Sequence, residues 1–365
     1  VGPPYRGHKE LLKSLTQARF PEQVVVISTY DSAQGDFYMA KWRQAKPEQF
    51  AMICDEVHNM GAPKSQCLME LNPAYRIGLS ATPRRNFDEI GSEKILNFYH
   101  QNTFEFSIKD AQREHYLVEY QYRVLPCAML EEDWESYKAY SKEIVQLQHA
   151  LEQEDDEKDR LRLQQRIEGR YRDRAKLLKK NDQKVQTLQT IFDEIPPSAR
   201  VLIYGDDLNH LDELGKELDR MGKYYFKYTG ELDAQKERPT ILKEFRQGIR
   251  KILLAVGCLD EGIDIPACDV AVFISSSTSE RQFIQRRGRV LRIAPGKMTA
   301  WIYDYLVYPI LPASTSDEER RMALSMIDAQ YRRINLMVDD AINGIREHQK
   351  LDQFLSQRKL NPYDF

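Results

Sequence analysis

The sequence is poor in the features that insert a chain into a membrane, export it or cross-link it. No apolar run in its 365 residues approaches membrane-spanning length, and no charged-then-apolar leader occurs. We therefore predict a cytoplasmic protein without a membrane partner. The five cysteines are scattered and include no C-x-x-C pair, so neither a structural zinc site nor a disulfide framework is expected.

A second absence concerns phosphate binding. No G-x-x-x-x-G-K-[S/T] loop occurs, so the sequence lacks the backbone cradle and the lysine that such a loop offers to phosphates. The chain opens on Val1 and continues with Gly2-Pro3-Pro4, which does not resemble the start of a domain. We expect it to be the later part of a longer polypeptide.

Composition indicates a globular protein with room for two or three domains. The chain is 42% hydrophobic and 30% charged. Its formal net charge is only -3. A polyanion would therefore have to be bound through local basic surfaces and not through a field of the whole molecule.

Strands and helices alternate in two parts of the chain. In the first part, β-branched or apolar runs end in polar residues at 24–27, 50–54 and 76–80, which is typical of buried parallel strands. After Pro196-Pro197 the alternation resumes, with strands predicted at 201–204, 224–228, 251–256, 270–274 and 300–303. The pattern predicts an α/β protein with two doubly wound parallel sheets.

A charged tract runs from about Glu131 to Asp182 and should form one or two helices, because it lacks Pro and has a single Gly. Two interpretations are equally open. The tract is either a solvated arm or a surface that faces nucleic acid. The basic residues concerned are Arg166, Arg170, Arg172, Arg174 and Lys176. The last part, from about Ser314, is also predicted to be helical.

An acidic pair, Asp55-Glu56, closes the second apolar run. Enzymes that hydrolyse nucleotides place two carboxylates in this setting, one to hold Mg²⁺ through its waters and one to orient the attacking water. Asp55 would take the first role and Glu56 the second. Such pairs also cap the following helix, which is the structural alternative. His58 is a candidate relay between nucleotide and the other domain, or a packing residue.

Small hydroxyl residues follow the third run, in Ser80-Ala81-Thr82-Pro83. Ser80 and Thr82 could hydrogen-bond the acidic pair and shift when the γ-phosphate is lost. An ordinary exit from a strand would look the same. Their position one strand-helix-strand unit after Asp55 favours the functional interpretation.

Four arginines occur within eight residues of the segment Gln285 to Arg292. Phosphoryl transfer builds negative charge on oxygen, and arginines supplied by a neighbouring domain are a recurring way to stabilise it. On a helix Arg289 and Arg292 would share one face, and Gly288 would permit a close approach. A basic helix that only faces solvent or nucleic acid is the alternative.

Taken together, and in their order along the chain, these motifs resemble those of superfamily 2 helicases. The resemblance is to the branch of the XPB-like repair helicases and UvsW-like phage helicases. The similarity covers about Val24 to Tyr305. The segments that carry it are 26–32, Asp55-Glu56-Val57-His58, 78–84, Tyr228-Thr229-Gly230-Glu231, 241–245, 259–266 and 284–292.

The resemblance implies two RecA-like domains, the first incomplete, that use ATP and Mg²⁺ to move along DNA, with RNA possible. It implies residues 1–115 for the first domain, 116–312 for the second with a thumb-like insertion at 131–182, and a helical tail at 313–365. An upstream part of the same protein would carry the phosphate loop.

The resemblance also implies roles for single residues. Arg289 and Arg292 would be arginine fingers, and Gln285 a nucleotide or coupling contact. Other roles fall on Gly262 and Asp264, in a loop that links nucleotide to nucleic acid, and on Thr29, Thr229 and Gly230, against the phosphodiester backbone. Two other functions are open: an RNA-directed motor of the same superfamily, and a helicase-like scaffold that does not hydrolyse ATP.

Overall fold

A computed structural model describes residues 25–44, 46, 48, 50–85, 88–233, 236–256, 267–276 and 280–362. The chain divides into two compact units, with the change at Glu105–Phe106. The predicted division at 115 and 312 stays a prediction, and the change of unit comes earlier than 115. None of the helices in the described part of the chain is both long enough and apolar enough to span a bilayer.

The first unit contains a small parallel sheet. Its strands β1 (Ala51–Cys54) and β2 (Tyr75–Gly78) pair in register, with Cys54 beside Gly78. The helices are α1 (Tyr30–Ala33), α2 (Asp36–Trp42) and α3 (Glu89–Phe98), with 3₁₀ segments at Val57–Gly61 and Ser65–Leu71.

The strand predicted at 24–27 is wrong for the residues that the structure describes. Residues 25–29 have no regular structure, and Val25 and Ile27 are 82% and 92% exposed. β-branched residues favour a strand only where a neighbouring strand supplies hydrogen bonds and packing. No described strand pairs with this segment.

Strands β1 and β2 form where predicted, but one face of their sheet is exposed, so the prediction of buried strands is wrong. Cys54 is buried on the inner face, and Arg76 stacks on the Phe98 ring at 4.6 Å. On the outer face Ile53, Tyr75 and Ile77 are 69%, 68% and 54% exposed. Helix α3 covers only the inner face of this two-stranded sheet.

The second unit contains a six-stranded sheet in which every pair of strands is parallel. The strand order is β3-β8-β7-β4-β6-β5. The strands are β3 (Glu119–Met129), β4 (Val201–Tyr204), β5 (Phe226–Tyr228), β6 (Ile252–Ala255), β7 (Val270–Val272) and β8 (Thr299–Pro309). The strands predicted for this part of the sequence are confirmed, with shifted ends.

Helices cover both faces of this sheet, which confirms the predicted α/β class. On one face, α8 (Leu188–Glu194) and α9 (Leu208–Arg220) pack against Val201 and Ile203. The other face carries α10 (Glu237–Arg246), α11 (Glu280–Val290), α12 (Asp317–Val338) and α13 (Gly344–Ser356), which share a core with Leu202 and Tyr204. Two further helices are short, Ile108–Arg113 as α4 and Asp182–Gln186 as α7.

The charged tract forms two helices, α5 (Glu131–Gln153) and α6 (Glu157–Lys179), that pack against each other. Trp134 and Tyr137, near the start of α5, are buried in the core of the second unit. At the other end of the tract, Lys179 and Lys180 pair with Asp206 and Asp207 at 2.8 and 2.5 Å. Ion pairs therefore tie the end of α6 to the residues that follow β4.

The C-terminal helices are integral to the second unit. Arg333 of α12 forms a buried ion pair with Asp304 of β8 at 3.0 Å, and the Tyr122 hydroxyl donates to the same carboxylate at 2.9 Å. Gln330 bonds both backbone groups of Val307, each at 2.9 Å. These bonds satisfy polar groups of β8 beyond the end of its short neighbour β7.

We predict that Arg333→Met lowers the free energy of unfolding of the second unit by about 3–5 kcal/mol, because it leaves the Asp304 carboxylate buried without its cation. The matched control is the neighbouring Arg332→Met. That arginine side chain is 75% exposed and pairs with Asp328 on the surface, so its loss should change stability by less than about 1 kcal/mol. Urea unfolding monitored by circular dichroism measures both. Equal losses in the two variants would contradict the assignment of a buried pair.

Candidate functional site

Backbone hydrogen bonds bring the residues after β1 and β2 together. Leu79 N–H donates to Cys54 O at 2.8 Å, and Val57 N–H donates to Leu79 O at 2.9 Å. The acidic pair and Ser80 therefore meet at the carboxyl edge of the sheet, as parallel pairing requires.

Asp55 is exposed, and its side chain and backbone are both oriented by hydrogen bonds. Its Oδ1 accepts from Glu56 N–H at 2.9 Å, and its carbonyl accepts from the Tyr30 hydroxyl at 2.8 Å. A carboxylate is a hard oxygen ligand of the kind that Mg²⁺ prefers, and contact through water needs only one such group. In the part of the chain that the structure describes, no cluster of three or more His, Cys, Asp or Glu side chains could hold a metal directly.

Glu56 has a left-handed backbone, with φ 46° and ψ 51°. This conformation is unfavourable for a residue with a Cβ and persists only where the surroundings enforce it. Here the bonds on either side, Glu56 N–H to Asp55 Oδ1 and Val57 N–H to Leu79 O, hold the turn. Strain of this kind occurs disproportionately at functional sites.

His58 is buried between Glu56 and Ser80. Its Nδ1 lies 3.3 Å from Glu56 Oε2 and 3.4 Å from Ser80 Oγ. Ser80 Oγ also accepts from Thr82 N–H at 3.2 Å. The five residues predicted from the two motifs, Asp55, Glu56, His58, Ser80 and Thr82, thus form one connected polar group, and a change at the Glu56 carboxylate can reach the backbone at Thr82.

Two residues of this site were not predicted from the sequence. Tyr30 positions the Asp55 carbonyl, and its burial raises the pKa of its hydroxyl, so the group remains a hydrogen-bond donor at neutral pH. Arg85 donates to His58 O and to Asp88 Oδ2, each at 2.6 Å. Tyr30 lies within the motif segment 26–32, and Arg85 directly follows the segment 78–84, which is the signal that the sequence offers for each.

Thr29 caps helix α1, because its Oγ1 accepts from Ser32 N–H at 3.3 Å. Its hydroxyl therefore has a structural partner within the chain. In the second unit, Thr229 and Gly230 directly follow edge strand β5, and Thr229 is buried whereas Gly230 is exposed. Gly262 and Asp264 lie outside the described residues.

Helix α11 has a buried face and a more accessible face. Phe283, Arg286, Arg287 and Val290 are buried. Gln285 and Arg289 are partly exposed on the other side of the helix. A Cβ added at Gly288 would meet no atom within 4 Å, so the helix has open space beside this residue.

The prediction that Arg292 belongs to the same helix as Arg289 is wrong. Helix α11 ends at Val290, and Arg292 is exposed in a bridge with Leu117. The Val118 N–H donates to Leu291 O at 2.8 Å. This contact with a residue far away in the sequence directs the chain out of the helix.

The five basic residues of the charged tract behave differently from one another. Arg170 pairs with Glu143 of α5 at 2.7 Å, and Arg174 donates to Ser141 Oγ at 3.2 Å. Arg166 also pairs with Glu143, at 3.5 Å, although it is largely exposed. Arg172 and Lys176 lie on the exposed side of α6. Arg170 and Arg174 therefore hold α5 and α6 together as a helical hairpin. The choice between a solvated arm and a surface that faces nucleic acid concerns Arg166, Arg172 and Lys176.

Two segments of the chain match helicase families. Residues 183–294 match the helicase conserved C-terminal domain, and residues 4–85 match the res subunit of type III restriction enzymes. The DNA 3'-5' translocase XPB2 of Sulfurisphaera tokodaii is 23% identical over 282 residues, which are 73% of this chain and 60% of XPB2. These matches support the predicted similarity of the chain to superfamily 2 helicases.

Two further known proteins are similar to this chain, one in sequence and one in fold. UvrABC system protein B of Coxiella burnetii is 28% identical over 133 residues, 34% of this chain and 20% of that protein. The ATP-dependent type ISP restriction-modification enzyme LlaBIII, solved bound to DNA, superposes with a TM-score of 0.53 at 17% identity, over 91% of this chain and 23% of that one. This chain therefore spans only part of each of these relatives.

The two matched segments contain every site residue predicted from the sequence. The acidic pair, His58, Ser80, Thr82 and Thr29 fall within 4–85, and the remaining residues fall within 183–294. The hairpin α5–α6 and the C-terminal helices α12 and α13 lie outside both matches.

A buried polar cluster lies at the carboxyl edge of the six-stranded sheet in the second unit. Lys184 donates to Ile274 O at 2.9 Å, and burial, with the Arg333 charge, lowers the pKa of its ammonium to about 7. His210 Nδ1 lies 3.0 Å from Ser275 Oγ, and burial together with the Lys184 charge lowers the pKa of this histidine to about 4. Both groups are therefore pushed toward the neutral form.

We predict that the stability of the second unit rises between pH 7 and pH 9 through Lys184. Its pKa in the folded state, about 7, lies below the usual 10.5, so the unfolded chain binds more protons in this range. The slope approaches about 1.4 kcal/mol per pH unit for a single proton. Urea unfolding at pH 7, 8 and 9 should show the rise in the wild type and in the exposed-lysine control Lys176→Met, but a smaller rise in Lys184→Met. Parallel pH curves for all three proteins would contradict the prediction.

Proposed function

We propose that the protein is a nucleic-acid-dependent ATPase motor that acts on DNA as a helicase or duplex translocase. The observation that carries the proposal is the connected group of Asp55, Glu56, His58 and Ser80 at the carboxyl edge of a parallel sheet. Support for DNA as the partner comes from XPB2, which is named as a DNA 3'-5' translocase, and from LlaBIII, which was solved bound to DNA.

In this proposal the acidic pair divides the work of hydrolysis. Asp55, exposed at the end of β1, would hold Mg²⁺ through its waters, and the bound ion would supply positive charge beside the phosphate oxygens. Glu56 orients the attacking water, in a direction that its strained backbone fixes. His58, Ser80 and Thr82 transmit the state of the Glu56 carboxylate to the loop after β2.

The second unit contributes the arginines. Arg289 is an arginine finger, and Gln285 contacts the nucleotide or couples it to movement. Both are partly exposed on the side of α11 away from its buried residues. Arg292 is the second finger, presented from the turn after α11. Gly262 and Asp264 keep the coupling role that the resemblance implies.

Nucleic acid is bound through its backbone, as the XPB-like branch implies. Gly230 is exposed at the end of edge strand β5 and offers its backbone N–H to a phosphate, with Thr229 beside it. Thr29, at the exposed N-terminus of α1, also contacts the phosphodiester backbone. Because backbone contacts leave base sequence unread, the motor acts on DNA of any sequence.

An upstream segment of the same protein completes the nucleotide site. The exposed outer face of Ile53, Tyr75 and Ile77 supports this, since a sheet with one apolar face in water is normally covered. In the proposal that covering segment also carries the phosphate loop. An RNA-directed motor is the alternative within the superfamily. The scaffold without hydrolysis is less well supported, since it leaves the polar group of Asp55, Glu56, His58 and Ser80 without a role.

We predict that Glu56→Gln in the full-length protein lowers ATP turnover by about 10²–10⁴-fold, because the amide cannot activate or orient water as the carboxylate does. ATP affinity should stay within about twofold, since Asp55 is retained. The control is Glu70→Gln, a surface glutamate of the same unit whose side chain is 62% exposed. Steady-state ATPase assays and calorimetry measure the two quantities. Turnover like that of the wild type in Glu56→Gln would exclude the proposed role.

A further inference from the structure

Two consecutive arginines on the buried face of α11 fix this helix to the rest of the second unit. Arg286 stacks on the Tyr204 ring at 4.8 Å and donates to Ser275 O at 3.3 Å. Arg287 is only 4% exposed and pairs with Asp340 at 3.0 Å. Neither arginine is accessible to a nucleotide, so the motif contains arginines of two kinds.

The Arg287 guanidinium lies at the carboxyl end of α12. Besides the ion pair with Asp340, it donates to Leu336 O at 2.7 Å and lies 3.3 Å from the Tyr120 hydroxyl, which itself donates to Met337 O. The carboxyl end of a helix carries partial negative charge on its unpaired carbonyls, and a cation there is stabilised. Asp340 adds a full charge at the same point. The end of α12 is thus built to bind one guanidinium.

Helix α12 is in turn fixed to the sheet. Arg333 binds Asp304, and Gln330 bonds the backbone of Val307. The segment after α12 is also attached, since Asn343 exchanges two hydrogen bonds with the Tyr122 backbone at 2.9 and 2.8 Å. The site that receives Arg287 is therefore held in place on both sides along the chain.

We propose that the C-terminal segment 317–356, which lies outside the matched helicase segments, positions the arginine fingers through Arg287 and Asp340. The inference rests on the proposed function of Arg289 and Arg292. Arg287 and Arg289 are two positions apart on one helix and point to opposite sides of it. Fixing the buried side of α11 therefore fixes the direction of Arg289, and it also sets the helix end from which Arg292 emerges.

The contact between Arg287 and Asp340 needs to contribute only a modest part of the rate of hydrolysis. A shift of about 1 Å in a catalytic group can lower turnover by about 10²-fold. Residues that act through others typically contribute about 0.5–2 kcal/mol, a factor of about 2–30 in rate. We therefore expect Arg287 and Asp340 to affect the rate of hydrolysis more than the affinity for ATP, because arginine fingers act mainly in the transition state.

The test uses Asp340→Asn in the full-length protein, with the exposed neighbour Asp339→Asn as the matched control. We expect about a tenfold fall in the kcat of nucleic-acid-stimulated ATP hydrolysis for Asp340→Asn, a KM for ATP within about twofold, and no change for Asp339→Asn. Asp340→Glu should recover most of the rate. An unchanged kcat in Asp340→Asn, or an equal fall in the control, would overturn the proposal.

A second arm separates positioning from general damage. In the Arg289→Ala background, followed by single-turnover assays, Asp340→Asn should have no further effect, because the group that it positions is absent. An equal tenfold loss in both backgrounds would show that Asp340 does not act through Arg289. Should Asp340→Asn fail to fold, Tyr120→Phe, which removes the hydroxyl beside Arg287, takes its place in both arms.

A third measurement keeps this proposal distinct from the proposed function. Hydrogen exchange of residues 280–292 should accelerate in Asp340→Asn but not in Asp339→Asn. This result is independent of ATP hydrolysis. Wild-type protein without nucleic-acid-stimulated hydrolysis would refute the motor and leave the exchange result to decide whether the C-terminal segment holds α11. Unchanged exchange in Asp340→Asn would overturn the positioning role.

Discussion

Parallel pairing is the constraint on which the rest of this molecule depends. Because every described strand pair is parallel, the carboxyl ends of the strands in each sheet lie at one edge. Asp55 and Ser80, which are far apart in sequence, meet for this reason alone. In the larger sheet the same rule places Asp206, Ser275 and Thr229 after the ends of their strands, and Lys179 at the end of α6 contacts the first two of them.

A parallel sheet leaves polar backbone groups unsatisfied wherever one strand outlasts its neighbour, and the C-terminal segment answers this need. Strand β3 is an edge strand, and Asn343 and Glu347 bond its backbone at Tyr122 and Val124. Gln330 does the same for β8 at Val307. The helices that complete the sheet also bind Arg287, so the element that protects the edge of the fold is the one that holds the arginine helix.

Local sequence predicted most of the larger sheet because its central strands β4, β6 and β7 are short, apolar and buried, and tertiary packing agrees with local preference. It failed at 24–27, where equally β-branched residues have no described neighbour to pair with. It also placed Arg292 on a helix that ends earlier, because the bond between Val118 and Leu291 joins distant parts of the chain. Tyr30 and Arg85 were missed for a similar reason, since only the folded chain brings them to Asp55 and His58. In the charged tract the pattern predicted the helices but could not separate the arginines that hold the hairpin from those that face solvent.

We propose above all that this chain belongs to a DNA-dependent ATPase. The most direct measurement is the rate of ATP hydrolysis by the full-length protein with duplex DNA, with duplex RNA of the same length, and without nucleic acid, at one fixed salt concentration. We predict a low basal rate of ATP hydrolysis. Duplex DNA should stimulate this rate at least about tenfold, and duplex RNA should not stimulate it. A rate that neither polymer changes, or one that only RNA stimulates, would contradict it.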